Sequence, residues 1–360
     1  MNTDAFLKEI DPFLQTDAGE KFIEYLSRSN NKEILAMIAK TPYLNWDTCE
    51  KLASDEKRYI RETIAENRWV PTEIIDRLAK DEESSVRYKA AKNPSLSYDM
   101  VKKLVSDDCP QVREGLAQNP KLPINIQKTL LNDDVGSVRF WLAKNKNISK
   151  AVLRKLAVDQ DWRARRGASE NPNTSQSTLD ILSRDVDCDV RYNVAKNPNT
   201  SSNTLSHMAN DTVIKNLIAL IQNPKTPKSV LEKLASHHDY DVRIEVAKNE
   251  KTPVRILTIL SKDKFVNVQR EVASNPNVNI AILNELSKSI STSIKYAVAR
   301  NPKTAKKMLK ELSMDKDWQV REGVARNPST SVAILKKLLE DEYTLVIESA
   351  HKTLIAKGEA

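Results

Sequence analysis

One spacing dominates the chain. An arginine follows an apolar residue at Arg61, Arg87, Arg113, Arg139, Arg165 and Arg191, each 26 residues after the last. The column continues through Leu217, Arg243, Gln269, Lys295, Arg321 and Ile347, and runs back to Leu35, without insertion or deletion over twelve periods. A period kept this strictly points to a solenoid, in which each unit stacks on its neighbours and an inserted residue must be looped out. The expectation is one continuous all-α solenoid of about thirteen 26-residue units over residues 16–353, with an N-terminal cap at 1–15 and a C-terminal tail at 354–360. The cap would use Phe6, Leu7, Ile10, Phe13 and Leu14 to cover the first unit.

Taking the arginine as position zero, position +17 is Leu from Leu52 to Leu338, with Met208 once. Position +3 is apolar, as at Ile64, Leu116, Val194, Val246 and Val324, and position +4 is almost always Ala. Apolar spacings of three and four mark one face of a helix. Each unit therefore reads as two short helices, A around the leucine column and B around the arginine column. Position +10 holds Ser97, Ser149, Ser175, Ser201 and Ser331, or Pro71, Pro123, Pro227 and Pro253, or Asn45 and Asn279. Ser and Asn cap a helix start, and Pro suits the first helical position, so helix A begins there. An Asn column runs from Asn67 to Asn327 and is mostly followed by Pro, which ends helix B. Asn is also the residue, after Gly, that best tolerates the left-handed conformation of a helix end.

Position −6 is Asp from Asp55 to Asp341, except His237 and Ser289. Stacking brings each Asp near an Arg of its own or a neighbouring unit, where a carboxylate and a guanidinium satisfy each other bidentately. Such a ladder sets the angle between units, and Asp also suits a cap for helix B. Catalysis needs one special pair, not ten equivalent ones, so no catalytic residue is assigned. The ladder breaks at Asp211 with Leu217 and at Asp263 with Gln269, where a different local curvature or mobility is expected.

Composition narrows the function. No apolar run reaches the ~18 residues of a membrane span. The start MNTDAFLKEIDPFL has no basic-then-apolar leader, so a cytoplasmic location is expected. Cys49, Cys109 and Cys188 are far apart, and the adjacent His237 and His238 read as part of a turn, so no metal or cofactor is expected. With six Gly and no GxGxxG or GxxxxGK, there is no phosphate loop. The net charge of +8 divides into −4 over residues 1–120 and +12 over 121–360, which favours an acidic partner.

With positions −1, +3 and +4 buried, helix B turns −2, +1, +2 and +5 outward, into a concave groove by analogy with other helical solenoids. Tyr88, Phe140, Trp141, Tyr192 and Tyr296 form an aromatic series there. Lys92, Lys144, Lys196 and Arg300 lie one turn on, with Arg163, Arg166, Arg270 and Arg326 beside them. Rings with Arg and Lys serve binding hot spots and also suit bases and phosphates. The competing reading is that the rings cover gaps between units and the lysines solvate them. Trp162 and Trp318 are expected to pack at the start of helix B.

The pattern VRxxVAxNPxTSxxxLxxLAxD, carried by Val320 to Asp341, resembles the variant leucine-rich repeat family of bacteria over nearly the whole chain. That resemblance implies stacked helices, one α and one often 3₁₀, wound into a right-handed superhelix. The Asp and Arg six apart are also similar to HEAT repeats. Some family members carry an N-terminal cysteine cluster for an iron–sulfur centre, for which this chain has no matching cysteines. Its unit is also longer than the family's usual one, which leaves helix B open between α and 3₁₀. Both families imply binding scaffolds. The leading expectation is a monomeric, non-enzymatic scaffold that holds a protein or peptide along its groove. The alternative is nucleic-acid binding through the helix B face of residues 121–360. A third is a DNA glycosylase built of HEAT-like repeats, against which every acidic column repeats and no unit carries an inserted loop.

Overall fold

A computed structural model describes residues 15–29, 31–42 and 44–359, and among them the chain folds into α-helices with no strand. The proposed N-terminal cap lies almost wholly outside the described residues. The helices alternate as the columns predict. Helix A has seven or eight residues from residue 46 onward, as in Lys150–Leu156, and helix B usually nine, as in Trp162–Glu170. Both are α-helical, which settles the conformation of helix B. No helix among the described residues is long and apolar enough to cross a membrane. The chain divides into two compact units, residues 1–199 and 200–360. In each, helix B packs on helix B of the next repeat and helix A lies against both.

Short helices with little length to propagate are stabilised by their ends and their burial. Ser97, Ser149, Ser175 and Ser201 cap helix A by accepting a bond from the backbone N–H three residues on, as do Asn45 and Asn279. Proline was expected at the first helical position. Pro71, Pro123, Pro227 and Pro253 instead sit one residue earlier, at the cap, with φ near −60° and extended ψ. The ring's fixed φ suits that extended cap as well as it suits the helix. Leu156, Val190, Val194 and Ala195 are fully buried, like their counterparts in other repeats. Each such Leu or Val contributes roughly 1.5–3 kcal/mol.

The Asn column joins one repeat to the next. Asn145 Nδ2 donates to the carbonyls of Ala117, at 2.9 Å, and Asn119, at 2.8 Å, while its Oδ1 accepts the N–H of Asn147 at 2.9 Å. Asn67, Asn93, Asn119, Asn171, Asn275, Asn301 and Asn327 repeat the pattern. The expected left-handed conformation is not used. Asn145 has φ −66° and ψ 120°, and no described non-glycine residue has positive φ. An extended backbone aims the amide across the seam. There one N–H meets the otherwise orphaned helix-end carbonyl of Ala117, and the other meets the carbonyl of Asn119, which also accepts the Leu122 N–H. In the last repeat Thr353 takes this place and donates to Ala325. With Leu354 buried beyond it, the final helix continues to Ala356, past the expected boundary at 353.

The Asp–Arg ladder links each arginine to the carboxylate of the following repeat. Arg139 Nε and Nη2 both lie 2.8 Å from Asp159, and Arg139 Nη1 donates to the backbone carbonyl of Asp133 in its own repeat. Arg61–Asp81, Arg87–Asp107, Arg113–Asp133, Arg165–Asp185, Arg243–Asp263 and Arg321–Asp341 match it. Lys295 serves in the same way for Asp315. The Asp side chain does not cap helix B. It accepts the N–H two residues on, before the helix begins, as Asp81 does from Glu83. The helix itself is capped by Asp161, Asp187, Asp239 and Asp317 where these occur. The register also redefines the breaks. From Arg61 onward the pairs that fail are Leu217 with His237 and Gln269 with Ser289, and in each both members change together, whereas at the N-terminal end Leu35 stands opposite a retained Asp55. Gln269 keeps only the backbone half of the arginine's role, donating to the carbonyl of Asp263 at 2.6 Å. Beside it an open cavity of about 490 Å³ is lined by Gln269, Ser289, Leu286 and Lys288.

Candidate partner-binding face

The aromatic series of helix B lies half on the surface and half in the seam between repeats. Tyr88, Phe140, Trp141, Tyr192 and Tyr296 are all half-buried. Three of them lie over a glycine of the next repeat: Tyr88 over Gly115, Phe140 over Gly167 and Tyr296 over Gly323. A Cβ on Gly115 would stand 2.9 Å from the Tyr88 ring and 2.6 Å from its carbonyl oxygen. Glycine inside a helix costs about 1 kcal/mol against alanine, so its presence needs a reason. Close approach of the preceding ring and backbone supplies one. These rings therefore cover the inter-repeat gap with one side.

Their other side meets cations. Lys144 Nζ stands 5.4 Å from the centroid of Phe140 and 5.7 Å from that of Trp141, which meet edge to face at 5.2 Å. Lys196 lies 5.5 Å from the Tyr192 ring and Arg300 5.9 Å from that of Tyr296. Lys92, Lys144, Arg163, Lys196, Arg300 and Arg326 are exposed, while Arg166 and Arg270 are half-buried.

Glutamates answer many of these charges. Glu170 pairs with Lys144 at 3.0 Å and with Arg166 at 2.8 Å. Arg270 pairs with Glu271 at 2.8 Å, and Arg326 pairs with the buried Glu322, which Ser349 also reaches. Across the four outward positions of helix B from residue 59 onward, six Lys and Arg stand against five Asp and Glu in each unit. Over residues 121–360 the same positions hold ten against seven, so the basic character expected of this face is slight, three of that region's excess of twelve. The charge excess of the C-terminal two-thirds is carried mainly elsewhere.

One cavity on this face lies in the second unit. Arg270, Ser293, Tyr296, Trp318, Gln319, Glu322, Arg326 and Leu345 line a cavity of about 510 Å³. Tyr296, Trp318 and Leu345 supply its apolar wall, and Leu345 is 50% exposed. Arg270 and Arg326 bring guanidinium groups to it. Trp318 is the first residue of its helix and stacks on Tyr343 of the next repeat at 5.6 Å, so it packs as expected and also lines the cavity. The outward columns did yield Arg270, Tyr296 and Arg326. Trp318, Glu322 and Leu345 were missed, and an aromatic pair 25 residues apart was the available signal. Tyr240 and Phe265 stack at the same offset, with centroids 4.9 Å apart. The other expected site residues do not line this cavity. Tyr88, Phe140, Trp141, Tyr192 and their cations lie in the first unit.

Comparison with known proteins yields similarity without a family. No protein-family model matches the chain, and no curated protein matches it. Among solved structures, a leucine-rich repeat variant with a novel repetitive motif is 22% identical at a TM-score of 0.48, covering 62% of this chain and 88% of its own. An engineered protein is 19% identical at a TM-score of 0.30, covering 93% of this chain and 98% of its own. Kap121p bound to RanGTP is 13% identical at a TM-score of 0.39, covering 95% of this chain and 46% of its own. At these values the likenesses add nothing to the fold read from the helices themselves.

Proposed function

We propose that this chain is a non-enzymatic binding scaffold that holds a peptide or a protein segment on its helix B face. The observation that carries the reading is the cavity bounded by Tyr296, Trp318 and Leu345 and flanked by Arg270 and Arg326. It offers an apolar wall with guanidiniums at hand, the combination that anchors a hydrophobic side chain next to an acidic one. The near-balance of charge along the face suits a protein better than a phosphate backbone. Nothing in the cavity resembles catalytic machinery, since its one buried carboxylate, Glu322, is already bound to Arg326 and Ser349.

A random peptide library displayed against the full chain tests this. Enriched peptides should carry an aliphatic or aromatic anchor within a few residues of Asp or Glu. Leu345→Asp changes a half-exposed side chain without touching the ladders, and should weaken these peptides at least about tenfold, a loss near 1.4 kcal/mol. Arg270→Ala should relax the acidic preference. No enrichment, or enrichment indifferent to Leu345→Asp, would overturn the proposal.

A further inference from the structure

The positive charge of this protein sits on its helix A side. Consider, in each repeat, the thirteen residues from just after the Asn column to just past the end of helix A. In the first unit, from residue 42 onward, these stretches hold thirteen Lys and Arg against six Asp and Glu, and in the second thirteen against five. The outward positions of helix B, with six against five in each unit from residue 59 onward, are nearly neutral by comparison. The asymmetry does not serve the fold. The ladder arginines lie in helix B and are excluded from these counts. Many of the helix A lysines have no partner. Lys303, Lys306, Lys307, Lys310, Lys336 and Lys337 are all exposed, and none forms an ion pair among the described residues.

We propose that the helix A side of the second unit is a docking surface for the phosphate backbone of a nucleic-acid duplex, bound without regard to sequence. Three features of the surface select this occupant. Twelve of its thirteen cations are lysine, a compact point charge that suits phosphate but lacks the planar fork with which arginine reads guanine. The one arginine, Arg255, is engaged by Glu232. The stretches from residue 224 to 340 contain no Phe, Tyr or Trp, so unstacked bases find no platform, which favours a duplex over a single strand. The same lack removes the aromatic anchors of a bilayer interface. Its exposed large apolar residues, such as Ile259, Ile280 and Met314, belong to separate repeats. Packed helices lie about 8–10 Å apart, and Lys225, Lys251 and Lys303 share one column, broken at Asn277, so the lysines spread over successive repeats at separations on the scale of a phosphate strand.

Equilibrium binding of the full chain to a random-sequence duplex of about 30 base pairs, over a salt series, tests the surface. The duplex should bind at low salt and more tightly than its single strand. A variant with Lys303→Gln, Lys306→Gln, Lys307→Gln and Lys310→Gln should bind at least about tenfold more weakly, and the slope of log K against log salt should fall by roughly 3–4. Leu345→Asp, on the opposite helix, should leave duplex binding unchanged, so failure of the peptide reading and failure of this one are told apart. The proposal is overturned by absence of duplex binding, by an unchanged salt slope in the quadruple variant, or by association with phosphatidylserine vesicles at least as strong as with the duplex.

Discussion

Replacing Asn145 with Ala would leave the carbonyl of Ala117 without a donor in a buried seam, and that of Asn119 with only the Leu122 N–H. An orphaned buried group costs about 1–3 kcal/mol, so a loss of about 2 kcal/mol is expected in urea unfolding. Asn145→Asp should be worse despite its matching shape, because a carboxylate has no N–H and would face two carbonyl oxygens. Equal stability of the Asp variant and the parent would refute the ladder's role. Gly167 offers a second residue-scale test. On an open helix face Gly→Ala gains about 1 kcal/mol. Here the new Cβ would lie 2.7 Å from the Phe140 carbonyl and 2.8 Å from the Ala143 Cβ, so Gly167→Ala should lower the melting temperature instead. The position of the Asn column was legible in the sequence, and its function was not. A column shows that a residue type is needed without showing which of its atoms is used. Asn suits both a left-handed helix end and a bridging amide, and only the backbone angles separate them.

Between elements, the ladder's register could have been read from its exceptions. The sequence alone suggested Asp263 with Gln269, six residues apart, as a broken pair. The structure pairs position zero with the carboxylate 20 residues later, and Leu217 with His237 and Gln269 with Ser289 then appear as matched losses. Within the stack, partners that must neutralise each other are lost together, and that joint loss was visible at an offset of 20; only the terminal pair, Leu35 with Asp55, keeps one member. Installing the pair should therefore be cooperative. Gln269→Arg and Ser289→Asp should each be neutral or destabilising alone, since each adds a charge without its partner. Together they should be more stable than the sum by about 0.5–3 kcal/mol, measured as a double-mutant cycle. Additivity would mean that the ladder contributes geometry without energy. The outward columns of helix B were legible as well, but the charge balance of the two helices was not. It depended on where helix A starts and which glutamates reach across to the neighbouring repeat.

At the scale of the whole molecule, both units depend on carboxylates held in their charged form. Arg321 beside Asp341 holds its carboxyl below the ordinary range, against the opposing effect of burial. At Asp81, Asp107, Asp133, Asp263 and Asp315 burial raises the pKa as the largest single effect. The partner cation and a backbone N–H together outweigh it, and the net shift is downward. A group with a depressed folded pKa stabilises above its unfolded value of about 3.9 and loses that contribution as pH falls through the folded pKa. Helicity followed against pH should hold steady from neutral to about pH 4 and collapse below it. Unfolding that began well above pH 5 would show that other groups dominate.

The offsets of the cross-repeat bonds carry one more consequence. Arginine reaches 20 residues ahead, and asparagine reaches 26 and 28 residues back. None of these distances grows with the length of the protein. The loop a folding chain must close to form its next native bond is thus the same at the first repeat as at the last, and its entropic cost is paid once per repeat in equal instalments. Adding one whole period to the gene, for example a second copy of residues 84–109, should leave the rate of refolding nearly unchanged while slowing complete unfolding.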